Sequence, residues 1–113
     1  MNLGAIVILT TVPDRETADR MAAVLVEAKL AACVNILPSV RSVYRWQGVV
    51  EKADENQLLI KTTAERYREV EEAIRAHHPY EVPEIIALPI SAGFPAYLQW
   101  LMDETSGPEI FHV

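Results

Sequence analysis

The sequence predicts an α+β sandwich, one antiparallel sheet beneath two helices. A long hairpin joins its second and third strands, and a further helix follows the last strand. Three observations carry this. Residues 5–12, "AIVILTTV", are apolar and β-branched without alternation, the pattern of a strand covered on both faces. Two later stretches place apolar residues at helical spacing and alternate with strand-like runs. Between them lies a ribbon rich in Val, Tyr and Trp that folds back at Gln47-Gly48. The chain has 113 residues, half of them hydrophobic, enough for one domain over 1–113 with its own core.

Each element follows in order. Pro13 and Asp14 end the first strand, and Asp14 suits a helix N-cap. Ala18, Met21, Ala22, Leu25 and Ala28 then form one apolar stripe, so the helix should run to about Lys29. From Val40 to Trp46 the residue types turn β-prone. Val40, Ser42, Tyr44 and Trp46 share one face, and Arg41, Val43 and Arg45 share the other. Gln47-Gly48 reads as a tight turn, since Gly48 can take a positive φ. The partner strand returns through Thr62, so the hairpin covers 33–62. Its tip carries Tyr44, Trp46, Val49 and Val50, which a single chain would leave wet. An apolar ribbon with open edges calls for a partner chain.

Thr62 and Glu65 have the spacing of a capping box, placing the start of a second helix there. Tyr67, Val70 and Ile74 are its apolar stripe. Pro79 ends it, because proline disfavours helical geometry at His78. "EIIALPI" (84–90) is a strand in which Pro89 removes a ladder amide, so it should lie at an edge or be bulged there. "FPAYLQWLMDET" (94–105) is a third helix with Pro95 in its first turn, and "EIFHV" (109–113) suits a short strand. With right-handed crossovers, strand–helix–strand–strand–helix–strand gives the ferredoxin-like βαββαβ arrangement.

Composition narrows the function. A net charge of −6 disfavours nucleic acid as a partner. The single cysteine, Cys33, excludes an internal disulfide and suits the cytoplasm. The first apolar run is too short for a membrane span and lacks the basic leader of a signal peptide. None of the common phosphate-binding, zinc-protease, dithiol or nucleophile-elbow motifs is present, so no catalytic or cofactor-binding residue is assigned.

Chemistry concentrates in "AHHPYEVPE" (76–84). His77 and His78 could bind Cu, Zn or Ni, or could complement a helix C-terminus. Adjacent helical side chains diverge by roughly 100°, so one imidazole should turn inward and the other outward. Glu81 and Glu84 could be metal ligands or an acid–base pair, or surface acids of a proline-stiffened loop. Lys61 could bind an anion or pair with one of these acids. Tyr44 and Trp46 suit interface anchors more than ligand stacking. Cys33, in apolar "LAAC", reads as a packed structural cysteine.

"KLAACVNILP", "SVYRWQG", "LLIKTT", "HHPYEVPEIIALPI" and "YLQWL" together resemble the CutA family of divalent-cation tolerance proteins, over about residues 5–104. The resemblance implies a ferredoxin-like homotrimer with its hairpins packed between subunits, and a link to tolerance of copper and other divalent cations. It also implies a metal site at His77 and His78, completed in some members by a first-strand cysteine. Here that position is Thr10, and a threonine hydroxyl is a poor ligand beside a thiolate. The expected partner is therefore Cu(II) or another divalent cation, weakly bound. That binding should fade below the imidazole pKa of ~6.5 as protons compete. A second reading, by analogy of fold, is a trimeric small-molecule or signalling module of the PII type, with sites in clefts between subunits.

Overall fold

The computed structural model describes residues 4–107. The elements run β1 (Ala5–Val12), α1 (Arg15–Glu27), β2 (Cys33–Trp46), β3 (Val49–Thr63), a 3-10 turn (Ala64–Arg66), α2 (Tyr67–His77), β4 (Ile86–Pro89) and α3 (Pro95–Glu104). The four strands form one sheet in the order β2-β3-β1-β4, every neighbouring pair antiparallel. This is the expected ferredoxin-like arrangement. The segment expected as a C-terminal strand, Glu109–Val113, lies outside the described residues.

Alternation along β1 sorts the sheet into two faces. Ile6, Ile8 and Val12 join Leu58 and Ile60 of β3 beneath Ala18, Met21 and Leu25 of α1 and Val70 and Ile74 of α2. These side chains are buried, and their removal from water is the main term stabilising the domain. The opposite face is only partly covered. There α3 packs Leu98 and Leu101 against Ala5 and Ala32. Ile86 and Leu88 of β4 remain about half exposed.

Local signals set most element ends. The Asp14 carboxylate accepts the Thr17 amide at 2.8 Å, occupying one donor that the helix start leaves unpaired. α1 stops two residues before the expected Lys29, which takes φ 61°. The Leu30 amide then bonds back to the Leu25 carbonyl at 3.0 Å, and the helix closes in a left-handed cap. Gln47 and Gly48 both have positive φ, 51° and 82°, as a two-residue hairpin turn requires.

The capping box is not formed. Thr62 lies within β3, opposite Ile6, and its hydroxyl donates to the Leu30 carbonyl at 2.6 Å. Pairing with β1 outweighs the local capping signal, and α2 begins only at Tyr67. The 3-10 turn between them contributes Arg66, 5% exposed. Its guanidinium donates to the Thr105 carbonyl at 2.7 Å and the Gly107 carbonyl at 2.6 Å, and pairs with Glu69 at 2.8 Å. This buried fork ties the end of α3 to the start of α2.

The hairpin governs the position of the candidate site. β1 pairs with β3 only from Asn56 to Thr63. The remainder, Val49–Glu55, projects past Val12 with β2 alone beside it among the described residues. A bulge between Leu37 and Val40, with Ser39 at φ 62°, increases the local twist. The slot where β1 would have continued is flanked instead by the loop that follows α2.

Candidate functional site in the cleft beside the hairpin

Pro79 forces the end of α2, and His78 adopts extended backbone at φ −90°, ψ 133°. This single break sends the two imidazoles apart. His77, still helical and exposed, places Nδ1 2.9 Å from the Ala73 carbonyl. A carbonyl only accepts, so Nδ1 carries a proton, and Nε2 is the nitrogen that this bond leaves available. His78 turns inward. Its Nδ1 accepts the Tyr80 amide at 3.1 Å, and its Nε2 lies 2.7 Å from the Thr11 carbonyl. The first bond requires a lone pair on Nδ1 and the second a proton on Nε2. The ring is therefore neutral and both nitrogens are engaged.

The metal pair expected at His77 and His78 does not assemble within one chain. A metal needs the lone pair that His78 gives to Tyr80. The Thr10 hydroxyl, expected to be a poor ligand, is fully buried on the face of Ile6, Ile8 and Val12. It has no hydrogen-bond partner among the described residues. No group of three or more His, Cys, Asp or Glu side chains in metal-binding proximity occurs among those residues. The donor set does not fit an intrachain chelate. His77 alone offers an accessible imidazole among the described residues.

The structure instead gathers a different set. The His78 and Tyr80 rings lie 4.8 Å apart at a tilt of 51°, and the Tyr80 hydroxyl donates to Glu55 Oε2 at 2.7 Å. Ser42 Oγ donates to Glu55 Oε1 at 2.6 Å. A continuous run of hydrogen bonds thus links β1 at Thr11, through His78, Tyr80 and Glu55, to β2 at Ser42. Burial first, and then the Glu55 carboxylate, hold the Tyr80 phenol well above its ordinary value, so it remains a donor. Thr11, Ser42, Glu55 and Tyr80 line an open cleft of about 860 Å³ between the hairpin and the 79–84 loop. Tyr44 and Trp46 form part of the hairpin wall, and Glu81 and Glu84 lie on the loop wall.

Sequence reasoning missed Glu55. It sits in "EKADEN", which reads as a polar strand, yet its burial depends on Ser42, 13 positions away, and Tyr80, 25 away. The available signal was alternation: Glu55 shares a face of the hairpin with Ser42 and Tyr44. Two other expectations also change. Lys61 forms no ion pair with Glu81 or Glu84; it lies opposite Val7 and Cys33, several residues along the sheet from Thr11. Cys33 is half-buried rather than packed in the core. Tyr97 of α3 lies beside it, and burial followed by the neighbouring sulfur raises the Tyr97 phenol above its ordinary value.

Comparison with known proteins agrees with this architecture. Residues 6–104 match the family described as CutA1 divalent ion tolerance protein. "Divalent-cation tolerance protein CutA" of Thermus thermophilus is 52% identical over 99 residues, covering 88% of this chain and 96% of that protein. "Protein CutA, chloroplastic" of Arabidopsis thaliana is 46% identical over 101 residues, 89% of this chain but 56% of that longer protein. A solved structure of the divalent cation tolerance protein (Cut A1) from Thermus thermophilus superposes with a TM-score of 0.88 at 50% identity, covering 89% of this chain and 98% of the other. With one fold, one order of elements and a family match across nearly its whole length, this chain belongs to the CutA1 divalent ion tolerance protein family.

Proposed function

We propose that the chain works as a cytoplasmic, non-enzymatic homotrimer in tolerance of, or response to, divalent cations such as copper, assembled through its β2–β3 hairpin. The observation that carries this is the projecting ribbon. Beyond Val12 the hairpin has no neighbouring strand at either edge among the described residues, and Val43, Val49 and Val50 are 66%, 55% and 56% exposed. An apolar two-stranded ribbon of this length is marginal alone and offers open edges to another copy. The names of the relatives supply the link to divalent cations. Contact with the ion within one chain reduces to the outward Nε2 of His77, a single-imidazole ligand of modest affinity. A stronger site would need donors from another copy. Native mass spectrometry, with and without buffered Cu(II) and Zn(II), tests the reading. It expects three chains and weak loading that His77→Ala removes; a monomer at micromolar concentration overturns the assembly.

A second reading is favoured by the cleft. A concave site beside an interface-forming hairpin, containing a few placed polar groups, is the usual form of a small-molecule site. In this reading the trimer is a ligand-responsive module, and loading of the cleft is its signal.

A further inference from the structure

The cleft contains a buried carboxylate for which the described residues supply no cation. Glu55 is 4% exposed. Its two oxygens take one neutral hydroxyl each, from Ser42 at 2.6 Å and Tyr80 at 2.7 Å. A carboxylate has about four acceptor positions, so part of its capacity is unused. Among the described residues the ion pairs are Arg15–Asp19 and Arg66–Glu69, and neither involves Glu55. An ionised carboxylate held out of water without a counter-charge is costly. A cation entering the cleft would relieve that cost.

The walls select among cations. Three carboxylates, Glu55, Glu81 and Glu84, line the cleft against one guanidinium, that of Arg45. Arg45 is turned to the hairpin tip, 3.4 Å from the Gly48 carbonyl. Tyr44 and Trp46 line the same cleft and are 43% and 40% exposed. A divalent metal would need several oxygen or nitrogen donors at about 2.0–2.6 Å. Glu55 is joined instead by two hydroxyls, one of them a phenol held in its protonated form. Aromatic faces attract organic cations, which shed water more readily than a metal ion does.

We propose that the cleft between the hairpin and the 79–84 loop binds a small organic cation. Its ammonium or guanidinium group is met by Glu55, and its apolar body lies against Tyr44 and Trp46. This rests on the second reading above, that the cleft is a ligand site.

Benzylamine tests it, with benzyl alcohol as the neutral match of the same shape. Both are titrated into the full chain near neutral pH, followed by amide chemical shifts and calorimetry. Benzylamine should shift the amides of Ser42, Tyr44, Glu55 and Tyr80, saturating at millimolar concentration or below, while benzyl alcohol binds at least about tenfold more weakly. Glu55→Gln, which keeps size and one acceptor, should erase that preference. Tyr80→Phe keeps the ring and frees an acceptor position on Glu55, so benzylamine should bind it at least as tightly as wild type. Equal binding of the two compounds overturns the cation assignment while leaving the cleft as a ligand site. Failure of both to shift the cleft amides overturns the proposal and the second reading together. Undiminished benzylamine binding by Glu55→Gln also overturns the proposal. Should Glu55→Gln not fold, as judged by its thermal melt, the benzyl alcohol comparison and Tyr80→Phe decide.

Discussion

His77 and His78 are adjacent in sequence and opposite in role. The difference arises at one backbone position, where Pro79 takes His78 out of the helix and turns its ring toward β1. Substitution should separate them. His77→Ala should remove residual Cu(II) or Zn(II) affinity and leave the melting temperature near wild type, because its ring is exposed. His78→Ala should leave that affinity almost intact and destabilise the fold by about 1–3 kcal/mol, since it strips partners from the Tyr80 amide and the Thr11 carbonyl. Buffered metal titration beside denaturant unfolding measures both. Equal loss of metal binding in the two variants would show that His78 reaches the ion after all. Thr10 offers a second test. Its hydroxyl is buried without a partner among the described residues, so Thr10→Val, nearly equal in shape, should stabilise the protein by about 1 kcal/mol. Unfolding at lower denaturant would mean that the hydroxyl has a partner, such as a bound water.

Among the elements, α1 depends on the residue before it for a start and on a left-handed residue for a stop. The Asp14 carboxylate is held below its ordinary range, first by the Thr17 amide and then by the Thr17 side chain. A depressed folded value means that the cap's contribution is present above the unfolded carboxylate value. It is lost as pH falls through the depressed one. Wild type should therefore lose stability relative to Asp14→Asn on acidification from about pH 6 to pH 2. Thermal melts of both across that range check it, and a constant difference would refute the assignment. The hairpin is the other decisive element. Its turn residues, its bulge and its excess length over β1 together create the cleft, whose walls are β2, β3 and the loop after α2.

For the whole molecule, the hairpin surface should make stability depend on concentration. Burying an apolar side chain such as Val50, 56% exposed, against another copy contributes about 1.5–3 kcal/mol per chain. Val50→Ala should lower the melting temperature, increasingly so on dilution, and sedimentation should show the assembly dissociating at higher concentration than wild type. Melting that is independent of concentration in both proteins would place the hairpin outside any interface. No helix among the described residues is long and apolar enough to cross a membrane, and the sheet and its ribbon leave Val43, Val49, Val50, Ile86 and Leu88 exposed.

The sequence by itself determined the order of elements, the long hairpin with its turn at Gln47-Gly48, the Asp14 cap and the Pro79 break. Each follows from backbone preferences or periodicity within a few residues. The strand containing Pro89 could be at an edge or bulged until the sheet order put it at the edge. Only the tertiary structure decided the roles of the polar residues. Thr62 carries the local signature of a cap yet joins a strand, because β1 offers it a full ladder and Leu30 offers its hydroxyl an acceptor. His78 stands in a metal-like pair yet serves as a neutral bridge between Thr11 and Tyr80. Glu55 stands in a polar run yet lies buried between Ser42 and Tyr80. A hydrogen bond needs a partner within about 3 Å, and all of these partners except the Tyr80 amide, two residues from His78, lie 13 to 67 positions away. Local sequence determines which groups a residue can offer; the sheet register and the path of the loop after α2 determine which groups they meet.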